Sequence, residues 1–450
     1  MQTYFGYIYL PHKDELQKIE SVRLCIDGDK FWLEGPIKLF GVEKYNLIKG
    51  AFTSLGFVTL LECNFLNNSS GIGGYYCELS INYIISGIQF ENEVNLTFSG
   101  LKIKMPSLKK WLKKSVYKGD FIFDKKVEIE FPQTIDFGTF HNFVLSADFG
   151  ITQNWNTENS LSVKDYVTLE IKTISENLSL WELLDIYKKF KKFLAFINVF
   201  DEGLDILVLK EDNIIYKNQD KPLEMKFFMS SFNFKNKGLD DIEVPKYEDI
   251  ENEIKEILDK WFNYNELFDS IDLILEKYYQ SKLSRETFFL NSSFAIEIYH
   301  RRFMNNDCLP KSEFKKIKNA IISKLETPEE IKLFKDRLAF ANEPSFRDRL
   351  ESLKDDFQMI LPSNFIIEDY IKKIVRTRNY IVHRSSNEHI FLDLELYYAA
   401  CYLEALSKLL IYKEIGFSPS QILKMFKHTN MHISGLFILN NKLQTGIKKK

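Results

Sequence analysis

One segment of the sequence concentrates side chains that could move a proton beside a bound anion. Arg378, Asn379 and His383 lie within NFIIEDYIKKIVRTRNYIVH, residues 364–383. A histidine ordinarily titrates at about pH 6.5, so it can accept or release a proton near neutral pH. An arginine carries a permanent charge on a planar fork of N–H donors, which makes it a good bidentate ligand for phosphate. This segment is therefore the first candidate for a functional site.

The same segment has the period of an amphipathic helix. At about 100° per residue, its apolar stripe consists of Ile367, Ile371, Ile374 and Ile381. Arg378 falls about 20° from Ile367 and Ile371, inside that stripe. A guanidinium in an apolar face is costly unless another group pairs with it. Such breaks of a local rule concentrate at functional sites, which singles out Arg378.

Three other polar residues of this helix share a different side. Arg376, Asn379 and His383 fall within about 60° of one another, whereas His383 lies about 140° from Arg378. Arg378 and His383 therefore converge only if the helix is irregular there, or if they meet through a second copy of the chain. The alternative without function is a surface arginine and a helix-end histidine that interacts with terminal carbonyls.

Glycine placement divides the chain that must position this segment. Of the 19 glycines, 16 lie at or before Gly238, and none occurs between Leu239 and Ile415. Runs rich in β-branched and aromatic residues, separated by turn residues, predict an antiparallel β-rich domain over residues 1–240, with one amphipathic helix at Ser179–Ile197. The glycine-free part predicts an all-α bundle over residues 241–450. The predicted fold class is therefore α+β, with a seam near residue 240.

Composition limits the class of protein. Lys+Arg 60 against Asp+Glu 63 gives a net charge of −3, so the whole chain has no basic field that would indicate nucleic acid. Five scattered cysteines without a C-x-x-C pair argue against a disulfide framework and a cysteine zinc site. No secretory signal is evident, and no apolar run approaches the roughly 18 residues of a transmembrane helix. We expect a cytoplasmic protein that does not contact a membrane.

The motifs resemble a known family in both halves of the chain. Arg378-Asn379-Tyr380-Ile381-Val382-His383, in a glycine-free bundle, resembles the R-N-x-x-x-H signature of the HEPN superfamily of helical ribonucleases. The N-terminal half is similar to the β-rich domain of ApeA-type anti-phage defence proteins. The stretches that carry this second resemblance are Phe5–Pro11 (FGYIYLP), Leu47–Gly50 (LIKG), Phe57–Cys63 (FVTLLEC) and Ser86-Gly87. The resemblance implies a HEPN core at about residues 286–415.

The resemblance implies metal-independent cleavage of RNA, with no cofactor and no bound metal. In that chemistry His383 removes the proton of a ribose 2′-hydroxyl or protonates the leaving 5′-oxygen, and Arg378 stabilises charge that develops on the scissile phosphate. Asn379 would orient the histidine or the backbone. Arg376 also fits a looser R-x6-H spacing, so the choice of catalytic arginine between Arg376 and Arg378 stays open.

The resemblance also implies partners. HEPN domains typically pair so that two motifs face one cleft, which predicts a homodimer or a higher homo-oligomer through the C-terminal half. The expected substrate is RNA, for example tRNA or another host or phage RNA, cleaved in an abortive-infection response to a phage-derived trigger. Residues 1–240 would be the sensor or regulator. The alternative function is a non-catalytic HEPN-type module that binds RNA, a nucleotide or a protein partner.

A second helix offers supporting residues. Glu297, His300 and Arg301 lie at i, i+3 and i+4 on the predicted helix Glu286–Phe303, so they can share a face and support the nuclease helix. Together with Arg376 they are candidates for supporting roles. The simpler interpretation of Glu297 and Arg301 is a surface ion pair.

Rival patterns are weaker. Asp165, Glu170 and Lys172 imitate the D…E-x-K arrangement of Mg²⁺-dependent nucleases, but an exposed strand face explains them as well. His428 and His432 lack the glutamate of H-E-x-x-H and a third ligand, which argues against zinc.

Overall fold

The computed structural model describes residues 1–12, 15–38, 42–71, 74–119, 127–156, 160–200, 206–215, 222–229, 245–280, 282–360, 366–384 and 388–427. The chain forms two compact units. The first comprises Met1–Ala195 and Val199–Phe234, and the second comprises Phe196–Asn198 and Lys235–Lys450. The predicted seam at residue 240 lies outside the described residues. No helix in the described part of the chain is long and apolar enough to cross a membrane.

Antiparallel strands dominate the first unit. Their bounds are β1 (Gln2–His12), β2 (Glu15–Asp27), β3 (Lys30–Gly35), β4 (Lys44–Phe52), β5 (Gly56–Gly71), β6 (Gly74–Ile81), β7 (Tyr83–Ser86), β8 (Thr97–Phe98), β9 (Gly100–Lys104), β10 (Tyr117–Lys118), β11 (Glu128–Ile129), β12 (Ile135–Phe140), β13 (Phe143–Asn156), β14 (Ser160–Thr173), β15 (Leu178–Ser179), β16 (Ile206–Ile215) and β17 (Pro222–Met229). Two helices, α1 (Pro106–Leu112) and α2 (Leu180–Phe196), accompany them. The helix expected at residues 179–197 corresponds to α2.

Within the described residues, thirteen of these strands form one sheet in the order β12-β13-β14-β9-β16-β17-β7-β5-β4-β1-β2-β3-β6. β5 also pairs with β6, so β5-β4-β1-β2-β3-β6 forms a closed ring around an apolar core that includes Ile8, Leu24 and Leu60. Gly6 permits a close approach of β1 to β4, because a Cβ there would lie 2.0 Å from the Ala51 carbonyl oxygen.

Helices form the second unit. Their bounds are α3 (Tyr247–Ile250), α4 (Ile254–Asn263), α5 (Phe268–Tyr279), α6 (Arg285–Phe303), α7 (Lys311–Ile322), α8 (Pro328–Arg337), α9 (Phe346–Ser352), α10 (Lys354–Ile360), α11 (Ile367–His383), α12 (Asp393–Ile415) and α13 (Pro419–Lys427). The predicted α+β class, with a β-rich first part and a helical second part, is confirmed.

α12 is the central helix of this bundle. Its buried side chains point in all directions around the axis, which is the pattern of a helix surrounded by neighbours. α6 packs along α12, and α11 packs against α6 and α9. Gly416 ends α12 in the left-handed conformation (φ 100°), a backbone state that glycine adopts without steric cost. The helix that carries the candidate motif is therefore held by two others, α6 and α9.

Candidate active site

The candidate motif occupies the last turns of α11. The helix buries Ile367, Ile371 and Ile374, as the helical period of the sequence predicts, while Ile381 is only half-buried. Thr377 anchors the middle of the helix, because its hydroxyl donates to the Lys373 carbonyl (2.7 Å) and accepts from the Phe391 amide (3.0 Å). The apolar face and this anchor fix the direction in which the motif residues point.

Arg378 is half-buried in a setting of one carboxylate and two aromatic rings. Its Nη2 lies 3.8 Å from Oε2 of Glu297, and its Cζ lies 6.0 Å and 5.9 Å from the ring centroids of Phe294 and Phe346. Its hydrogen bond within the described residues runs from Nη1 to Oδ1 of Asn379, at 3.4 Å. The Glu297 carboxylate is beyond hydrogen-bond distance, so most N–H donors of Arg378 are available to an anion.

The carboxylate beside Arg378 belongs to a chain of alternating charges. Glu297 also faces Arg301 (3.7 Å), and Arg301 faces Glu343 (3.1 Å). Glu343 in turn lies 3.6 Å from Nη2 of Arg349. Three arginines alternate with two glutamates, so this chain carries a net positive charge. Such a surplus near Arg378 favours an anionic ligand.

Arg349 and His300 form the buried end of that chain. Arg349 is 1% exposed and His300 is 3% exposed. Arg349 Nη1 donates to His300 Nδ1 (2.9 Å) and to Asn306 Oδ1 (2.5 Å), and His300 Nε2 lies 3.1 Å from the Ser352 hydroxyl. Because Nδ1 accepts from a cation, the ring must be neutral with its proton on Nε2. Burial, and then the charge of Arg349, lower the pKa of His300.

The expected supporting residues thus separate into two groups. Glu297 lies near both Arg378 and Arg301. It is therefore next to the motif, as a supporting residue would be, and it also forms the ion pair with Arg301 that the simpler interpretation expects. His300 is buried against Arg349, and no hydrogen bond in the described part of the chain joins it to Arg378, so its link to the motif is indirect. Arg376 is exposed on α11.

His383 occupies the exposed end of α11. The helix is continuous from Ile367 to His383, so the irregular backbone that could bring His383 towards Arg378 does not occur. The two side chains project about 140° apart, while Arg376 and His383 project about 20° apart. Arg384 follows in the left-handed conformation (φ 50°), which is unusual for a residue with a side chain. One chain therefore does not bring Arg378 and His383 to the same face of the helix.

The rival metal pattern lies on the sheet of the first unit. Asp165 and Glu170 project from opposite faces of β14, because side chains alternate along a strand. Asp165 pairs with Lys109, and Glu170 pairs with Lys210. Within the described residues, no group of three or more histidine, cysteine, aspartate or glutamate side chains could hold a metal ion. His428 and His432 lie outside the described residues.

Arg349 was not among the candidate residues predicted from the sequence. A signal was available, because Arg349 follows Phe346 by three residues and precedes Leu353 by four, which puts it in the apolar stripe of α9. A guanidinium in an apolar helix face is the feature that singled out Arg378, and Arg349 has the same feature in α9. Its partners could not be found by spacing, since His300 lies 49 residues earlier in the chain.

Comparison with known proteins agrees with this architecture. In the described residues, a helical bundle with an arginine and a histidine on one helix follows a β-rich unit. The family model for ApeA N-terminal domain 1 matches residues 3–261, and the model for Apea-like HEPN matches residues 290–421. The first match covers more than half of the chain, and the chain belongs to the ApeA family with a C-terminal HEPN domain. These matches support a HEPN-domain protein of anti-phage defence.

Other comparisons add little. No curated protein matches the chain. Among solved structures, the chain is similar to MrkH, described as a novel c-di-GMP dependence transcription regulatory factor, with 11% identity, 42% of this chain and 85% of that chain covered, and a TM-score of 0.13. At that score the likeness supports no inference on fold or function.

Proposed function

We propose that the protein is a metal-independent endoribonuclease whose site is built from α11. The observation that carries the proposal is the state of Arg378. Its guanidinium is flanked by Phe294 and Phe346. The Glu297 carboxylate lies 3.8 Å away, so most N–H donors of Arg378 make no hydrogen bond within the described residues. A pre-positioned cation with unused donors suits the extra negative charge of a phosphoryl transition state.

The proposed chemistry needs one base and one acid. A histidine takes the proton of the ribose 2′-hydroxyl, and the 2′-oxygen attacks the adjacent phosphorus. The bond from phosphorus to the 5′-oxygen breaks, and a second histidine protonates that oxygen. The products are a 2′,3′-cyclic phosphate and a free 5′-hydroxyl. Arg378 stabilises the phosphoryl oxygens throughout, and Asn379, which accepts from Arg378, positions it.

Two copies of the chain supply the two histidines in this proposal. His383 is exposed and projects away from Arg378, so within the described residues one α11 helix offers a single imidazole to the proposed site. A symmetric pair of α11 helices would place two His383 side chains in one cleft with both Arg378 side chains. A monomer with full nuclease activity would contradict this arrangement.

The biological proposal follows the family. The RNA would be a host or phage RNA such as tRNA, cleavage would halt growth of an infected cell, and the β-rich unit would respond to a phage-derived trigger. These steps rest on family membership, because fold alone does not define a trigger or a substrate.

The test is RNA cleavage by the purified full-length protein in EDTA, with His383→Ala, Arg378→Ala and the matched exposed variant Arg376→Ala. We expect cleavage by the parent and by Arg376→Ala, with 2′,3′-cyclic phosphate ends, and none by the first two variants. Cleavage that EDTA abolishes and that does not depend on His383 would overturn the proposal. RNA binding without turnover, also after addition of phage lysate, would favour the non-catalytic module.

A further inference from the structure

The two helices α7 and α8 form an arm inserted between α6 and α9. They pack on each other, and neither contains a buried residue. One asparagine closes the base of the arm. The Asn342 amide donates to Asp307 Oδ1 (3.2 Å) and to the Leu309 carbonyl (2.9 Å), and its oxygen accepts from the Leu309 amide (3.0 Å). These hydrogen bonds join the two ends of the arm to each other, and neither helix of the arm contributes a buried side chain to a core.

A row of lysines follows one face of α7. Lys311, Lys315 and Lys318 stand at i, i+4 and i+7, which places them within about 60° of one another. Like charges at i and i+4 destabilise a helix. In the described part of the chain no ion pair or hydrogen bond joins Lys315 or Lys318 to another residue, and Lys311 lies 3.8 Å from Asp307. Among the described residues, Lys315 and Lys318 therefore have no ion-pair partner, and Lys311 has one at 3.8 Å.

The other helix of the arm has a different charge pattern. α8 carries Glu329 and Glu330 in its first turn and Lys335 and Arg337 in its last turn. This distribution complements the helix dipole and balances the charge. Neither helix contains a buried residue, but only α7 presents an unbalanced row of charges.

The base of the arm joins the charge chain of the candidate active site. Asn306, which precedes Asp307, accepts a hydrogen bond from Arg349. Glu343, which follows Asn342, contacts Arg349 and Arg301. Arg301 shares Glu297 with Arg378. A chain of contacts in which arginines alternate with carboxylates therefore links Arg378, through Arg301 and Arg349, to the base of the arm, where the lysine row begins.

We propose that the lysine row of α7 binds the RNA backbone and leads the strand to Arg378. This inference rests on the proposed function, whose substrate it would position. Ammonium groups on flexible stems suit successive phosphates, and they need no base sequence. RNA fits the row better than a protein partner does, because the unbalanced feature of the arm is its charge. Exposed apolar residues such as Ile317 and Phe334 occur on both helices.

The test measures binding apart from cleavage. A fluorescent single-stranded 2′-O-methyl RNA lacks the attacking hydroxyl, so its affinity can be titrated by anisotropy against KCl with the full-length protein. The variant is Lys311→Gln/Lys315→Gln/Lys318→Gln, and the matched control on α8 is Lys332→Gln/Lys335→Gln/Arg337→Gln. The slope of log affinity against log salt should fall by about 2 in the α7 variant, since each phosphate contact contributes about 0.7. Over a fourfold range of salt this is a difference of about 15-fold. The control should match the parent.

Two outcomes would overturn the inference. One is an unchanged slope in the α7 variant. The other is an equal loss in both variants, which would indicate net charge rather than the row. An unchanged slope with a changed oligomeric mass of the α7 variant would point to a protein contact instead. Failure of the proposed function would give a different result. The parent would then not cleave unmodified RNA, while the slope of log affinity against log salt would still be lower in the α7 variant than in the parent.

Discussion

The helical unit contains two arginine–histidine pairs with opposite properties. Arg349 and His300 come from different helices, are buried, and share a hydrogen bond of 2.9 Å. Arg378 and His383 come from one helix, are more exposed, and project to different sides of it. Contact in the first pair fixes the ring as neutral, so that histidine cannot carry a proton in a reaction cycle. Separation in the second leaves both side chains available to a substrate.

Proximity of an arginine and a histidine alone therefore does not identify a catalytic pair. The touching pair holds α6 to α9, and through Glu343 and Arg301 it connects to the carboxylate beside Arg378. In the proposed function, the separated pair becomes a site when a second copy of the chain supplies the missing face. Four predictions test this difference between the two pairs.

The largest expected effect concerns the choice of arginine on α11. Arg378→Ala should lower kcat by about 100-fold to 1000-fold, the usual cost of removing a donor to a developing charge. Arg376→Ala should change kcat less than about threefold, because Arg376 is exposed and lies outside the apolar stripe. Single-turnover cleavage of a labelled RNA measures both. The reverse order of effects would assign the site to Arg376.

The next effect is on stability and belongs to the buried pair. Arg349→Met should lower the free energy of unfolding by about 2 kcal/mol, because His300 and Asn306 lose a buried donor and Glu343 loses an ion-pair partner. Arg347→Met, on the same helix but half-exposed in a pair with Glu351, should cost about 0.5 kcal/mol or less. Urea unfolding followed by circular dichroism compares the two. Equal costs would show that the buried network contributes nothing specific.

A smaller effect should appear with pH. The pKa of His300 is lowered by burial and by Arg349, so the unfolded chain binds a proton there at a pH where the folded chain does not. The contribution is complete above about pH 6.5 and is lost as pH falls below it. The melting temperature of the parent should therefore fall more between pH 7.5 and pH 5.5 than that of His300→Gln. Parallel changes would contradict the buried neutral ring.

The smallest effect is expected at Glu297. Its two arginine partners lie at 3.7 and 3.8 Å, beyond hydrogen-bond distance, so each interaction is weak. Glu297→Gln should lower kcat about twofold to threefold through a less ordered Arg378, and the melting temperature should stay unchanged. A loss as large as that of Arg378→Ala would mean that Glu297 itself takes part in proton transfer.

The sequence predicted the local features well and the long-range ones poorly. The helical period of about 3.6 residues placed Arg378 in the apolar stripe of α11 and His383 on another side, because the face that a helical residue occupies depends only on its spacing from neighbours in the same helix. The α+β division followed from glycine placement in the same way. The pairing of His300 with Arg349, and the order of thirteen strands, depend on contacts across tens of residues that spacing does not encode. The lysine row of α7 was visible in sequence, but its link to the site required the contacts of Asn306 and Glu343.

Subunit mixing tests whether two chains build one active site together. The parent is co-expressed with His383→Ala so that it makes up one quarter of the purified chains, and EDTA-resistant RNA cleavage is measured at constant total protein. If two copies each supply one His383 to a shared cleft, only parent–parent pairs are active, and activity should fall to about one-sixteenth of the undiluted parent. A fall to about one quarter, in proportion to the parental chains, would show that each chain acts alone and would contradict the account.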